Sequence, residues 1–273
     1  MNISYRIITL GIMALHMHDV SAYEIKTHAI LSEAAFGQSG LSKDMQLLQN
    51  LGLKSSDKFF NSQDPEPRTI KELITDGARF EDNTDTLKRP LNHFFDPLRN
   101  QPLRPYGIPL FVNHTSPDWA LEDNGPIGKQ DYSFRDARDD LYQALTLQSR
   151  QEREKKFGLT FQTLGQVIHH VQDMAQPQHV RNDAHLDSPQ EFLGFIPNPF
   201  YNPSRYEDYT NKNRDKDFIA AYLAPNAYPR VLFPKARDFW HTKDRNPQAG
   251  RGIAEFTNQN FVSAGTNFPR SHA

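Results

Sequence analysis

Residues 159–177 read LTFQTLGQVIHHVQDMAQP, and this stretch decides the fold. Leu164, Ile168, Val171 and Ala175 recur at helical spacing with no alternation of period two, and Pro177 cannot continue a helix. The spacing predicts a helix over 159–176 with those four residues as its apolar face. His169 and Asp173 are four residues apart, so one helical face carries both. That face adjoins the apolar stripe and belongs at the edge of the core. His170 points about 100° away and reads as a residue behind the pair or at the core edge.

Working outward, the same helical period recurs. Thr27 to Phe36 reads as a short helix stopping near Gly37 and Gly40, and Ser42 to Leu53 as another, with Met45, Leu48 and Leu51 in register. Thr69 to Phe80 is a third, carrying Ile70, Leu73 and Ile74 on one side. Prolines recur from Arg89 to Pro117 and the periodicity vanishes, which reads as an extended loop. Ser116-Pro117 reads as an N-cap and a first-turn proline opening a helix around Trp119. Ser133 and Asp136 form a variant capping box heading a long polar helix to about Lys156. A proline-rich loop spans Pro189 to Pro203, and a last helix runs from about Ala249 to Ala264. No repeat and no run of alternating strands is present. The expectation is one all-α multi-helix domain with long proline-rich loops.

Composition narrows the function. The chain has 273 residues, 19 prolines and 14 glycines, with a formal charge of −2 and a pI near 6.6. No global basic field draws it to nucleic acid or anionic lipid. The absence of cysteine excludes disulfides and thiolate metal sites, so any metal must be held by His, Asp, Glu or backbone groups. Residues 1–22 read as a signal peptide: Arg6 supplies the positive end, Ile7 to Leu15 the short apolar stretch, and Val20-Ser21-Ala22 the small residues before a cut ahead of Tyr23. The mature domain then spans 23–273, secreted or periplasmic, with no transmembrane segment after cleavage.

The chemistry concentrates in three groups. His169-x3-Asp173-x5-His179, with His185 six residues later, sets four candidate ligands in 17 residues with a proline breaking the helix between them. Nitrogen and carboxylate ligands fixed on one helix suit zinc. At the other end, cleavage would expose the α-amino group of Tyr23, which can lose its proton to a metal, with His28 one turn into the first helix. The third group is Asp82, after the helix ending near Phe80, and His93, in Asn92-His93-Phe94-Phe95-Asp96. Taken singly, His28 reads as a surface histidine, and Asp82 and His93 as a helix-terminal carboxylate and a loop histidine.

Together these residues resemble the superfamily of bacterial zinc-dependent phospholipases C and fungal single-strand-specific nucleases, which are all-α enzymes with three zinc ions. The resemblance spans Tyr23 to about Glu207. It matches an aromatic mature N-terminus with a nearby histidine (Tyr23, His28), an aspartate and a histidine roughly a dozen residues on (Asp82, His93), and the central H-x3-D-x5-H motif (His169, Asp173, His179). It departs at the last zinc, where the family has a histidine and then a carboxylate one turn later. Here His185 is followed at that spacing by Pro189, and the best carboxylate is Glu207.

What the resemblance implies is a trinuclear zinc cleft. Asp82, His93, His169 and Asp173 would hold one ion, Tyr23 and His28 a second with Asp173 bridging, and His179, His185 and Glu207 a third. A zinc-bridged hydroxide, its pKa lowered from ~15.7 toward ~7, would attack phosphorus, with Asp82 and Asp173 as the catalytic carboxylates. The expected activity is hydrolysis of a phosphodiester, phospholipase C-like or, alternatively, nuclease-like, on a phospholipid or nucleic-acid substrate and with no stable protein partner. Phe80, Phe94, Phe95 and Tyr106, with Glu81 and Asp96, are available for a choline cage or a base sandwich. A zinc-braced protein without catalysis and a binding module on the loops 94–109 and 192–203 are the rivals from other classes. Trp119 and Trp240 read as packing anchors, His114, His241 and His272 as histidines with no partner at ligand spacing, and Arg251, Glu255 and Asn258 as residues of a solvated face.

Overall fold

A computed structural model describes residues 25–60, 66–83, 89–104, 113–128, 130–185, 204–213, 233–242 and 252–263. The signal segment, Tyr23, Tyr106, Arg251, His272 and the proline-rich stretch 189–203 lie outside the described residues. The chain is all-α, as the periodicity predicts. Its helices are α1 (Ile25–Gln38), α2 (Gly40–Lys43), α3 (Met45–Asn50), α4 (Ile70–Asn83), α5 (Ser116–Leu121), α6 (Phe134–Thr146), α7 (Arg150–Asp173), α8 (Pro177–Val180), α9 (Arg205–Lys212) and α10 (Ile253–Asn260). Strands β1 (Lys58–Phe59) and β2 (Arg68–Thr69) pair antiparallel, Lys58 opposite Thr69. Short 3-10 turns cover Pro90–Asn92 and Ala236–Phe239. No helix among the described residues is long and apolar enough to cross a membrane.

Capping explains where the helices differ from expectation. The predicted polar helix from Ser133 to Lys156 is two helices. Ser133 heads α6 with the full capping box: its hydroxyl accepts from the Asp136 amide at 3.2 Å, and Asp136 accepts from the Ser133 amide at 2.8 Å. Leu147 then turns extended, and Ser149 caps a new helix by accepting from the Glu152 amide. Helix α7 therefore begins nine residues before the predicted start at Leu159, and ends at Asp173 rather than at Gln176. Asp44 splits the helix expected over 42–53, since its side chain accepts from the amides of Gln46 and Leu47. The cap of α5 is Thr115, not Ser116.

The face of α7 is the larger correction. Leu164, Ile168 and Val171 are only half-buried and Ala175 is exposed, whereas Thr160, Gln162, Thr163, Gln166, His169, His170 and Asp173 are fully buried. The cause is position: α7 is the central helix, packed by α1, α4, α5 and α6. Its polar side is turned inward because it finds partners there. Two glycines bring α4 and α7 into backbone contact. A Cβ on Gly77 would stand 2.0 Å from the Gln162 carbonyl oxygen, and one on Gly165 would stand 2.1 Å from that of Ile74. This close crossing fixes the last turn of α4 against the last turn of α7.

Apolar packing lies on either side of that crossing. One core gathers Leu48, Leu53, Phe59, Ile70, Leu73, Ile74, Phe157 and Phe161. A second holds Phe95, Ala120, Leu121, Val167, Met174, Val180 and Trp240. Trp119 and Trp240 are buried anchors, as predicted. Asn258 departs from prediction: it is buried, and its amide donates to the Val180 carbonyl, so α10 locks onto α8. Glu255 accepts from the amides of Thr242 and Gly252 and so also serves packing.

Candidate metal centre

The crossing of α4 and α7 sets Asp82 at the end of one helix against His169 and Asp173 at the end of the other. Asp82 lies inside α4, which runs on past Phe80, instead of following it. His93 reaches the same point from the segment after the 3-10 turn. The side chains of all four are almost wholly buried. His93 Nδ1 is 3.5 Å from Asp82 Oδ1 and 3.2 Å from Asp173 Oδ2. His169 Nε2 is 3.6 Å from Asp82 Oδ1, 3.4 Å from Asp173 Oδ2 and 3.4 Å from His93 Nδ1.

These spacings can be tested against a metal. Ligands at about 2.0–2.1 Å around a tetrahedral zinc stand about 3.3–3.4 Å from one another. The five separations bracket that value. They are too long for strong hydrogen bonds, and both Asp173 oxygens are buried with no hydrogen-bond donor among the described residues. A buried carboxylate needs a compensating cation; in the metal-free cluster the protonated His169 at 3.4 Å supplies it, and a bound metal would take its place. The residues therefore fit a metal ion.

The histidines are oriented for it from behind. His169 Nδ1–H donates to the Ala78 carbonyl at 2.7 Å, which turns Nε2 to the carboxylates. His179 Nδ1–H donates to the His93 carbonyl at 3.0 Å, and its buried Nε2 has no hydrogen-bond partner among the described residues. His28 Nδ1–H donates to Gln172 Oε1 at 2.7 Å, while the Gln172 amide donates to Ser32 on α1. Each contact selects the tautomer whose second nitrogen carries no proton, the form that binds a metal.

His28 adds a second location. Its ring stacks on that of His169 at 3.7 Å, and its Nε2 is 3.4 Å from Asp173 Oδ1. Asp173 thus turns one oxygen to each location. His28 is not a surface histidine but is fully buried. Tyr23 lies outside the described residues, so this location is described through His28 and Asp173 alone.

His179, His185 and Glu207 form a separate buried group whose ligand atoms lie within 4.8 Å of one another. Pro177 opens α8 and places His179, and Ser204 caps α9, placing Glu207 in its first turn. His185 Nε2 and Glu207 Oε1 are 2.7 Å apart, a direct hydrogen bond. The Gln176 amide also donates to Glu207 Oε1. Metal entry here requires the His185–Glu207 pair to part.

Electrostatics follow from burial and proximity. Burial raises Asp82 to about 7, against the pull of His169. Burial lowers His93 to about 4 and His179 to about 3, and lowers His28 well below its ordinary value. Burial opposes charge on His169, yet Asp173 and Asp82 outweigh it and raise the imidazole to about 10. Asp173 is held far below the usual carboxylate range by His169, His93 and His179 despite its burial. The metal-free cluster therefore carries one trapped proton on His169, and a metal would replace it.

Of the aromatics available for a cage, Tyr106 lies outside the described residues and two others are packed inside. Phe94 and Phe95 are fully buried, and Phe94 stacks flat on His179 at 4.2 Å, bracing a candidate ligand. Asp96 is buried and bonded to Arg99. Sequence reasoning offered Glu81 only as an acid for a cage and passed over Arg89; the two form a buried ion pair directly behind His93. Comparison with protein-family models, with curated proteins and with solved structures finds no match. What the chain shows of itself is a buried constellation of His, Asp and Glu groups that could hold metal ions.

Proposed function

We propose that the protein is a secreted, zinc-dependent phosphodiester hydrolase, phospholipase C-like in its chemistry, with single-strand nuclease activity as the alternative on the same centre. One observation carries this: Asp173 presents one oxygen to His93 and His169 and the other to His28, at separations suited to tetrahedral zinc. A carboxylate shared in this way is the mark of a multi-metal site, and phosphoryl transfer is the chemistry such sites serve.

Asp82, His93, His169 and Asp173 would hold one zinc, and His28 with Asp173 a second, completed by the Tyr23 amine and carbonyl. His179, His185 and Glu207 would hold the third. Bound zinc supplies a water acidic enough to ionise near neutrality and positive charge for the phosphoryl oxygens. The chain's own contribution is orientation. Ala78, Gln172 and the His93 carbonyl fix imidazole tautomers, and burial keeps His28, His93 and His179 uncharged and ready to ligate. Asp82, raised to about 7 by burial in the metal-free cluster, must give up its proton before it can ligate.

The burial of His28, His93, His169, Asp173, His179, His185 and Glu207 favours a second reading, a zinc-braced protein without catalysis, since structural sites are closed. Hydrolysis of bis-p-nitrophenyl phosphate with and without chelator separates the two. Turnover that disappears with chelator and returns with zinc supports the hydrolase. Zinc binding without turnover on this ester, on a phosphorylcholine ester and on single-stranded DNA supports bracing alone.

A further inference from the structure

We propose that Glu81 is a positioning residue for the metal centre: it fixes His93 from the side opposite the metal, and it is itself held by Arg89 and His170. This rests on the zinc reading above. Glu81 and Asp82 are neighbours at the end of α4 and point to opposite sides of one imidazole. Asp82 Oδ1 faces His93 Nδ1 at 3.5 Å, and Glu81 Oε1 faces His93 Nε2 at 3.8 Å. If Nδ1 is the ligand atom, Nε2 must carry the ring proton, and Glu81 Oε1 at 3.8 Å is the carboxylate that faces it, beyond hydrogen-bond distance but close enough to hold the N–H by charge.

Glu81, His93 and His170 are close enough to be a metal site in their own right, but a fixed cation already occupies that role. The Arg89 guanidinium donates to both Glu81 oxygens, Nε to Oε1 at 3.1 Å and Nη2 to Oε2 at 2.8 Å. Arg89 is 4% exposed, lies 5.6 Å and 5.3 Å from the ring centres of Trp119 and Tyr132, and donates also to Gln130 and Gln166. A second cation beside it would meet like charge with no solvent to screen it.

A hydrogen-bond chain completes the mounting. Trp240 Nε1–H donates to Ser116 Oγ at 3.1 Å, and the Ser116 hydroxyl faces His170 Nδ1 at 3.3 Å. His170 Nε2–H then donates to Glu81 Oε1 at 2.9 Å. The directions are forced, because indole nitrogen only donates and a carboxylate only accepts. Trp240 of the second apolar core, α5 and α7 thereby all converge on one carboxylate, and that carboxylate faces His93.

The test uses the full mature chain, zinc alone as the probe, and Glu81→Gln with a Glu81→Gln/Arg89→Met double variant that leaves no unpaired buried cation. Zinc affinity is measured by competition with a chelator, metal-free stability by thermal melting, and the His93 Nε2–H proton by nitrogen-edited NMR of the zinc-loaded protein. The expected result is a loss of about 10–100-fold in affinity for one zinc, a moved or rapidly exchanging His93 proton signal, and unchanged loading of the His179 group. Unchanged affinity with an unmoved His93 signal in both variants overturns the inference. Equal weakening of every zinc in step with the melting temperature also overturns it, since Glu81 would then serve only the fold. A wild-type chain that takes up no zinc overturns the reading beneath it instead.

Discussion

Replacing Gly165 by alanine places a methyl group 2.1 Å from the Ile74 carbonyl oxygen and 2.9 Å from the Ala78 amide nitrogen. Ordinary van der Waals contact begins at 3.4 Å, so α4 and α7 must separate by about 1.3 Å at this point. The obstacle is backbone on both sides, and no side chain can swing away to relieve it. Overpacking of this kind costs about 1–3 kcal/mol, which lowers Tm by roughly 2–12 °C for a domain of this size. The metal centre magnifies the effect. One turn beyond Gly165, His169 bonds to Ala78 at 2.7 Å and faces Asp82 across the same crossing at 3.6 Å. A displacement of about 1 Å takes those groups outside ligand spacing. Gly165→Ala should therefore lower zinc affinity at least tenfold, whereas Gly37→Ala, where nothing lies within 4 Å, should leave zinc unchanged and hold or raise Tm. Chelator competition and thermal melting read both quantities. A Gly165→Ala protein with wild-type Tm and zinc content would refute the idea that the glycine crossing builds the centre.

Further expectations concern the ligands and their surroundings. Asp173→Asn, which takes the negative charge from both locations it faces, should cost two zincs of three and all phosphodiesterase turnover; elemental analysis and the p-nitrophenyl assay check this. Phe94→Ala should destabilise by about 3–5 kcal/mol by denaturant unfolding and weaken the zinc held by His179, on which Phe94 stacks. Zinc affinity should rise with pH between 5.5 and 8, most steeply below 7. His169, raised to about 10, must lose its proton throughout that range, and Asp82, at about 7, must lose one only in its lower part. Calorimetric zinc titrations in buffers of different ionisation heat count those protons, and a flat or falling affinity contradicts the assignment. Ser149→Ala removes only an exposed helix cap, so about 1 kcal/mol of stability should go while zinc stays.

Sequence periodicity revealed α7 because the apolar spacing of Leu164, Ile168 and Val171 is helical whichever way the helix faces. It misjudged the orientation for a physical reason. A rule that buries apolar residues assumes that polar ones have no partners inside, and here Gln166 meets Arg89 while His169 and Asp173 meet the centre. The candidate ligands Asp82, His93, His169 and Asp173 lie close together, because three of the four sit on two helices whose crossing is set by glycine. Glu81 and Arg89 were illegible, since an ion pair eight residues apart across the end of a helix leaves no periodic trace. The split at Leu147 was equally hidden, because Ser149 looks like any polar residue until it caps.

The central claim is that this buried constellation holds zinc. Zinc content of the purified chain, measured by elemental analysis on protein whose amino terminus is confirmed as Tyr23, tests it most directly. The expected result is about three zincs per chain by the roles assigned to His28, Asp82, His93, His169, Asp173, His179, His185 and Glu207, falling when an extra residue precedes Tyr23. Zero or one zinc per chain, with no gain on adding zinc, would contradict the account.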